Sequence, residues 1–179
     1  MRFLKKLIQC FFVWRVPPSG EDALCHAEVA LVQSFGLRRG APGLSNGALA
    51  SIARNLHEHY GLPLVLQWEI ADCLPDLQKA GVIRRHRTPD AYLDTREVLV
   101  QSAEICRKHG WRKAIIVAHP DHVWRVMKTA EKLDFGIAIT DMASIPYDSL
   151  SLQPWTRSRW RFVPREIIAR LLYLVRGWI

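Results

Sequence analysis

Hydrophobic residues fall into short uninterrupted runs, separated by longer stretches in which they recur at helical spacing. The runs at 28–34, 63–68, 82–87, 113–119 and 136–141 predict strands. The stretches at 46–60, 70–80, 95–110 and 121–133 predict helices; in the first of these Leu49, Ile52, Ala53 and Leu56 share a face. Gly61, Gly81 and Gly110 stand where three of them should stop. Asp94 followed by Glu97 predicts a capped helix start. Residues 114–118, Ala-Ile-Ile-Val-Ala, are apolar without alternation, as a central parallel strand covered on both faces requires. This alternation predicts a Rossmann-like three-layer α/β/α domain with a mostly parallel sheet of about five strands. Residues 147–162 read as loop. A C-terminal helix at 164–178 should turn Ile167, Ile168, Leu171, Leu172 and Val175 inward.

The N-terminus departs from that rhythm. Lys5 and Lys6 precede an apolar run at 7–14, and Pro17 and Pro18 close the segment, so 1–20 reads as a basic amphipathic piece ahead of one domain at 21–179. The run is far short of the roughly 20 residues that span a bilayer, and no small-residue cleavage site follows it. It is either a helix lying on anionic lipid or one packed on the domain itself. The net charge of +8 favours anionic partners in general. Trp155, Trp160 and Trp178 alternate with Arg157, Arg159, Arg161 and Arg176; a tail packed on the sheet is favoured over a membrane contact, and nucleic acid is the weaker partner. Four widely spaced cysteines without a C-x-x-C pair point to a reducing, cytoplasmic compartment, with peripheral contact to an anionic membrane through residues 1–15 as the variant.

Candidate chemistry concentrates in residues 94–127. The fourth strand should end at the mouth of a helix carrying His119, Asp121, His122 and Arg125. Unpaired N–H groups and the helix dipole make such a mouth an anion site. Arg125 is suited to clamp a phosphate or carboxylate, and His122, three residues before it, is the best candidate for acid–base catalysis. Thr95 should approach from the next helix start, with Glu97 as counter-charge or cap. The loop from Gly36 to Gly43, with Arg38 and Arg39, has the composition of a phosphate cradle but not the dinucleotide fingerprint. The His119-Pro-Asp121-His122 run invites a metal, yet no other cluster supplies further ligands; Asp121 reads better as an N-cap.

The order of these features resembles the ElyC/SanA/YdcF family of bacterial proteins over residues 28–175. Thr95-Arg96-Glu97-Val98 stands where that family has Thr-x-Glu-Asn, His122 and Arg125 match its His-x-x-Arg, and Arg165-Glu166 match its C-terminal Arg-Glu helix. Gly36 and Glu69 are weaker matches. The chain differs at Val98, at Ala118-His119 in place of Thr-Ser, and at Gln67-Trp68 in place of Gly-Gly. The resemblance implies a Rossmann-like domain and a link to envelope processes. Together the readings predict a small anionic ligand, phosphorylated or nucleotide-like, with S-adenosylmethionine among the options and metal disfavoured. Its contacts would be Gly36, Arg38, Glu69, Thr95, Glu97, His119, His122 and Arg125, with group transfer or hydrolysis as the chemistry. The alternative is a non-catalytic peripheral membrane or interaction protein using its basic termini.

Overall fold

The computed structural model describes residues 2–179, with side chains from Leu4 onward. Five strands, β1 (Val29–Val32), β2 (Leu64–Gln67), β3 (Gly81–Ile83), β4 (Lys113–Val117) and β5 (Gly136–Ile139), form one sheet in the order β3-β2-β1-β4-β5, and every pairing is parallel. β1, β2 and all of β4 except its first residue are buried, as the unbroken apolar runs require. α1 (Arg2–Phe12) and α2 (Glu21–Cys25) precede the sheet, α3 (Leu44–Tyr60) follows β1, and α4 (Trp68–Ala71) follows β2. α5 (Thr95–His109), α6 (Val123–Glu131) and α7 (Arg159–Val175) complete the chain. α3 packs with α4, and α5 with α6. Right-handed crossovers put the two pairs on opposite faces of the sheet, which gives the Rossmann-like three-layer arrangement.

Local chemistry sets the boundaries. Gly61 and Gly110 take left-handed conformations and end α3 and α5. Asp94 caps α5 by accepting the Glu97 N–H at 2.9 Å. The helix expected at 70–80 is only α4, and turns fill the rest. Pro75 is the reason: it has no N–H to give, and it pushes Leu74 away from helical backbone. β3 stops at Ile83 rather than 87, and α3 starts two residues before the expected Asn46.

The C-terminal helix differs most from expectation. It begins at Arg159, includes Pro164, and a short 3-10 turn (Pro154–Arg157) interrupts the predicted loop before it. Its buried side is Phe162, Glu166, Arg170, Tyr173 and Leu174, whereas Ile168, Leu172 and Val175 are 67%, 43% and 79% exposed. A buried ion-pair network, and not the aliphatic stripe, decides which side faces inward. Tyr173 Oη accepts the Arg96 N–H at 3.1 Å, so α7 lies across the N-terminal ends of α5 and α6. α1 packs on α7 through Cys10, and Arg170 binds the Val13 carbonyl at 2.6 Å. Trp155 stacks on Arg165 and Trp178 on Arg96 and Arg176, while Trp160 is exposed.

Candidate functional site

The strand order reverses direction between β1 and β4, because the connection after β3 crosses to the far side of β1. Open α/β sheets bind ligands beyond the C-terminal strand ends at such a point. A cavity of about 500 Å3 opens there. Gln33, Ser34 and Gly36 line it from the end of β1, and Gln67 and Glu69 from the end of β2. Thr95 comes from the start of α5, His122 and Arg125 from the segment after β4, Arg165, Ile168 and Leu172 from α7, and Arg176 from just beyond its end.

The base of the cavity is a buried polar network. Arg125 Nε donates to Glu166 Oε1 at 3.0 Å and Nη2 to Oε2 at 2.8 Å. Nη1 donates to Thr95 Oγ1 at 2.9 Å, and Nη2 also reaches His122 Nδ1 at 3.2 Å. The guanidinium also lies over the Tyr173 ring, 4.8 Å from its centroid. The bidentate edge expected to clamp a ligand is therefore taken by Glu166, and a single Nη1 hydrogen is left. Arg170 Nε adds a third arm to Glu166 at 3.0 Å. Arg125 holds the floor together; it does not present a free fork.

His122 is constrained in the same way. A guanidinium donor on Nδ1 requires that nitrogen to be unprotonated, so the hydrogen of the neutral ring is on Nε2, 3.2 Å from Thr95 Oγ1. Burial, reinforced by the Arg125 charge, pushes the His122 pKa down and favours this neutral form. Both ring nitrogens are engaged, which removes the free proton carrier that catalysis by His122 needs. Thr95 Oγ1 then accepts from both Arg125 and His122, so its own O–H is available to donate into the cavity.

Glu69 has the opposite character. It is 7% exposed and lines the cavity, yet its Oε2 has no hydrogen-bond partner among the described residues. Oε1 has a 3.5 Å contact from Gln67 Nε2, the Ser34 hydroxyl and the Glu69 N–H also lie near the carboxyl, and Gln67 is oriented by accepting the Ser34 N–H at 3.2 Å. Burial raises the Glu69 pKa to about 7.

Three candidates lie outside the cavity. His119 is behind Phe35, stacked on its ring at 3.9 Å, and burial lowers its pKa to about 3. Glu97 turns away to Arg87 (2.7 Å) and Gln101 (2.8 Å), and the Arg87 hydrogen bonds hold its pKa at about 2. Arg38 is paired with Asp148 at 2.6 Å. The same Asp148 accepts the Leu44 N–H at the start of α3 at 2.9 Å. A carboxylate of the chain thus fills the anion position expected in the glycine-rich loop. From that loop only Gly36 reaches the cavity; its φ is +80°, and a Cβ there would lie 2.8 Å from Thr156 Oγ1. Asp121 is not the N-cap of α6: its Oδ2 accepts the Tyr147 hydroxyl at 2.7 Å, and Oδ1 is 3.3 Å from Arg159 Nε without hydrogen-bond geometry.

Several contributors are not visible in the chain pattern. Asn46, read only as a helix start, accepts the Phe35 N–H and donates to the Gly36 and Pro42 carbonyls, which fixes the loop beside the cavity. Gln67, Tyr173, Arg165 and Arg176 are equally unmarked as site residues, apart from the match of Arg165 to the family's Arg-Glu helix. Among the described residues no group of three or more His, Cys, Asp or Glu could hold a metal ion, and no helix is long and apolar enough to cross a membrane. No protein-family model, curated protein or solved structure matches the chain.

Proposed function

We propose that the protein binds a small anionic ligand, phosphorylated or nucleotide-like, in the cavity at the C-terminal ends of its strands. The pair Arg165 and Arg176 carries this reading. Both line the cavity, and neither has a carboxylate partner among the described residues. Their guanidinium groups lie over Trp155 and Trp178 at 4.0 and 4.7 Å from the ring centroids. An arginine steadied by stacking keeps its N–H fork for a phosphate. The Thr95 hydroxyl and Glu69 would meet the polar remainder of the ligand. Thr95, His122, Arg125 and Glu166, the positions matched to the ElyC/SanA/YdcF pattern, meet in one network. In this reading they form the frame beneath the ligand. A group-transfer or hydrolytic step would draw on Glu69 as proton carrier, because a group titrating near 7 suits acid–base work.

A thermal-shift screen with nucleotides, S-adenosylmethionine, sugar phosphates and divalent metals tests the reading. A ligand at about 100 times its Kd adds about 2.7 kcal/mol of stability. The rise should vanish in Arg165→Ala/Arg176→Ala, whose own midpoint should stay close to that of the wild type. A rise that survives unchanged in the double variant, or a panel with no anionic ligand that shifts the midpoint, contradicts it.

A second reading, peripheral contact with an anionic membrane, rests on α1. Leu4, Ile8, Phe11 and Phe12 are 60%, 51%, 40% and 78% exposed along one side of the helix. Lys5 and Arg15 are exposed on the same segment, and residues 1–20 contain no acidic side chain. Burying one such side chain is worth about 1.5–3 kcal/mol. Ile8→Ser/Phe12→Ser should therefore cut co-sedimentation with phosphatidylserine-rich vesicles at least about tenfold and leave ligand binding unchanged. Equal sedimentation of the wild type and the variant would dispose of the membrane contact.

A further inference from the structure

Glu69 is the unfilled polar group of the cavity. Its residue is more than nine-tenths buried, and its Oε2 has no hydrogen-bond partner among the described residues, while Gln67 at 3.5 Å and the Ser34 hydroxyl lie near the carboxyl. A carboxyl group accepts through both oxygens, and leaving one unmet in a desolvated wall is costly. The surroundings restrict what can meet them. Arg84, Arg125, Arg165 and Arg176 line the same cavity, so a cationic group is disfavoured there. An anionic group is disfavoured by the carboxylate itself. Neutral donors remain, and two adjacent hydroxyls match the two oxygens of one carboxylate.

Position points the same way. Glu69 follows β2, the strand beside β1, and Gly36 with its left-handed backbone follows β1. In doubly wound sheets an acidic side chain at the end of that strand meets ribose hydroxyls, while the phosphate lies further across the crevice. Here the usual phosphate position at the start of α3 is occupied by Asp148, and the cavity's arginines without a carboxylate partner among the described residues are Arg165 on α7 and Arg176 at its C-terminal end. A cavity of about 500 Å3 is large enough for a sugar with one phosphate and a base. The ring of Tyr92, 63% exposed at the cavity wall, is available to the base.

Resting on the anion-site reading above, we propose that Glu69 is the subsite for the cis-vicinal diol of a sugar ring, with the sugar's phosphate at Arg165 and Arg176. The diol belongs either to a ribonucleotide or to a base-free sugar phosphate.

Calorimetry on the full chain separates these cases. The probes are adenosine 5′-phosphate, its 2′,3′-dideoxy analogue, ribose 5-phosphate and 2-deoxyribose 5-phosphate, with wild type, Glu69→Gln and Glu69→Met. Hydrogen bonds to a charged group are worth about 10- to 100-fold in affinity. Adenosine 5′-phosphate should therefore bind the wild type at least about tenfold more tightly than the dideoxy analogue, and the gap should close to under about threefold in both variants. A matching gap between the two sugar phosphates assigns the diol to a base-free sugar; a gap confined to the adenosine pair assigns it to a ribonucleotide. Equal binding of diol and diol-less probes to the wild type, or a gap that survives in both Glu69 variants, overturns the diol subsite and leaves the anion site standing. No binding of any phosphate probe overturns both.

Discussion

Glu166→Ala should lower the unfolding midpoint by roughly 6–20 °C, because about 3–5 kcal/mol is lost when a buried ion pair is broken from one side. Glu166 is 1% exposed and receives Arg125 through two nitrogens and Arg170 through a third. Arg170 is 0% exposed, and its remaining donors go to the backbone carbonyls of Cys10, Val13 and Asp121. Removing the carboxylate leaves two desolvated guanidinium groups without a counter-charge. Arg125→Ala should also destabilise the fold, by less than Glu166→Ala and equally with or without ligand, since Glu166 then keeps Arg170 as a cationic partner and loses the two Arg125 arms. Replacing the pair together, as Arg125→Met/Glu166→Leu, should cost less than the sum of the single changes. Chemical denaturation of the four proteins checks this; a loss under about 1 kcal/mol for Glu166→Ala would mean that the network does not hold α7 in place.

Glu69→Gln should do the reverse, raising stability by about 3 kcal/mol at pH 8 and by nothing near pH 4. The Glu69 carboxyl titrates at about 7 in the folded protein, against an ordinary value of 4.5, because burial penalises its charged form. Below about pH 4.5 it is protonated in both the folded and the unfolded chain. Between 4.5 and about 7 the unfolded chain releases its proton and the folded chain keeps it, so stability falls as pH rises through this window. Above about 7 the loss is complete. Asp72 raises it a little further, and the hydrogen bonds from Ser34 and Gln67 lower it without offsetting the burial. Unfolding midpoints of wild type and Glu69→Gln across pH 4–8 should therefore coincide at the acid end and diverge by roughly 6–12 °C at the alkaline end. Parallel curves would contradict the raised titration.

The chain pattern announces the sheet and most of the helices, because a buried parallel strand needs an unbroken apolar run and a helix end needs its glycine. It misleads at 70–80, where the apolar spacing outweighs Pro75 in the reading but not in the protein. It misleads again on α7, where the aliphatic stripe is the outer side. The pair Glu166 and Arg170, one helical turn apart and flanked by Phe162 and Tyr173, was the signal for the buried face; amphipathic spacing alone does not weigh it. Thr95, His122 and Arg125 do converge, yet their partner Glu166 lies 41 residues beyond Arg125, and nothing local reveals that the arginine's fork is already filled. Arg38 is lost to the cavity for the same reason, through Asp148, 110 residues away. Glu69 is legible only as an acidic residue after a strand; its unpartnered Oε2 depends on the wall that segments distant in the chain build around it.

The most direct test of the central claim is an amide NMR titration of the full chain with adenosine 5′-phosphate and, separately, ribose 5-phosphate. Saturable shifts should appear at Ser34, Gly36, Glu69, Thr95 and Arg165, on four separate chain segments around one cavity. The absence of saturable shifts with either probe, or shifts confined to α1, Lys128 and Lys132, would contradict it.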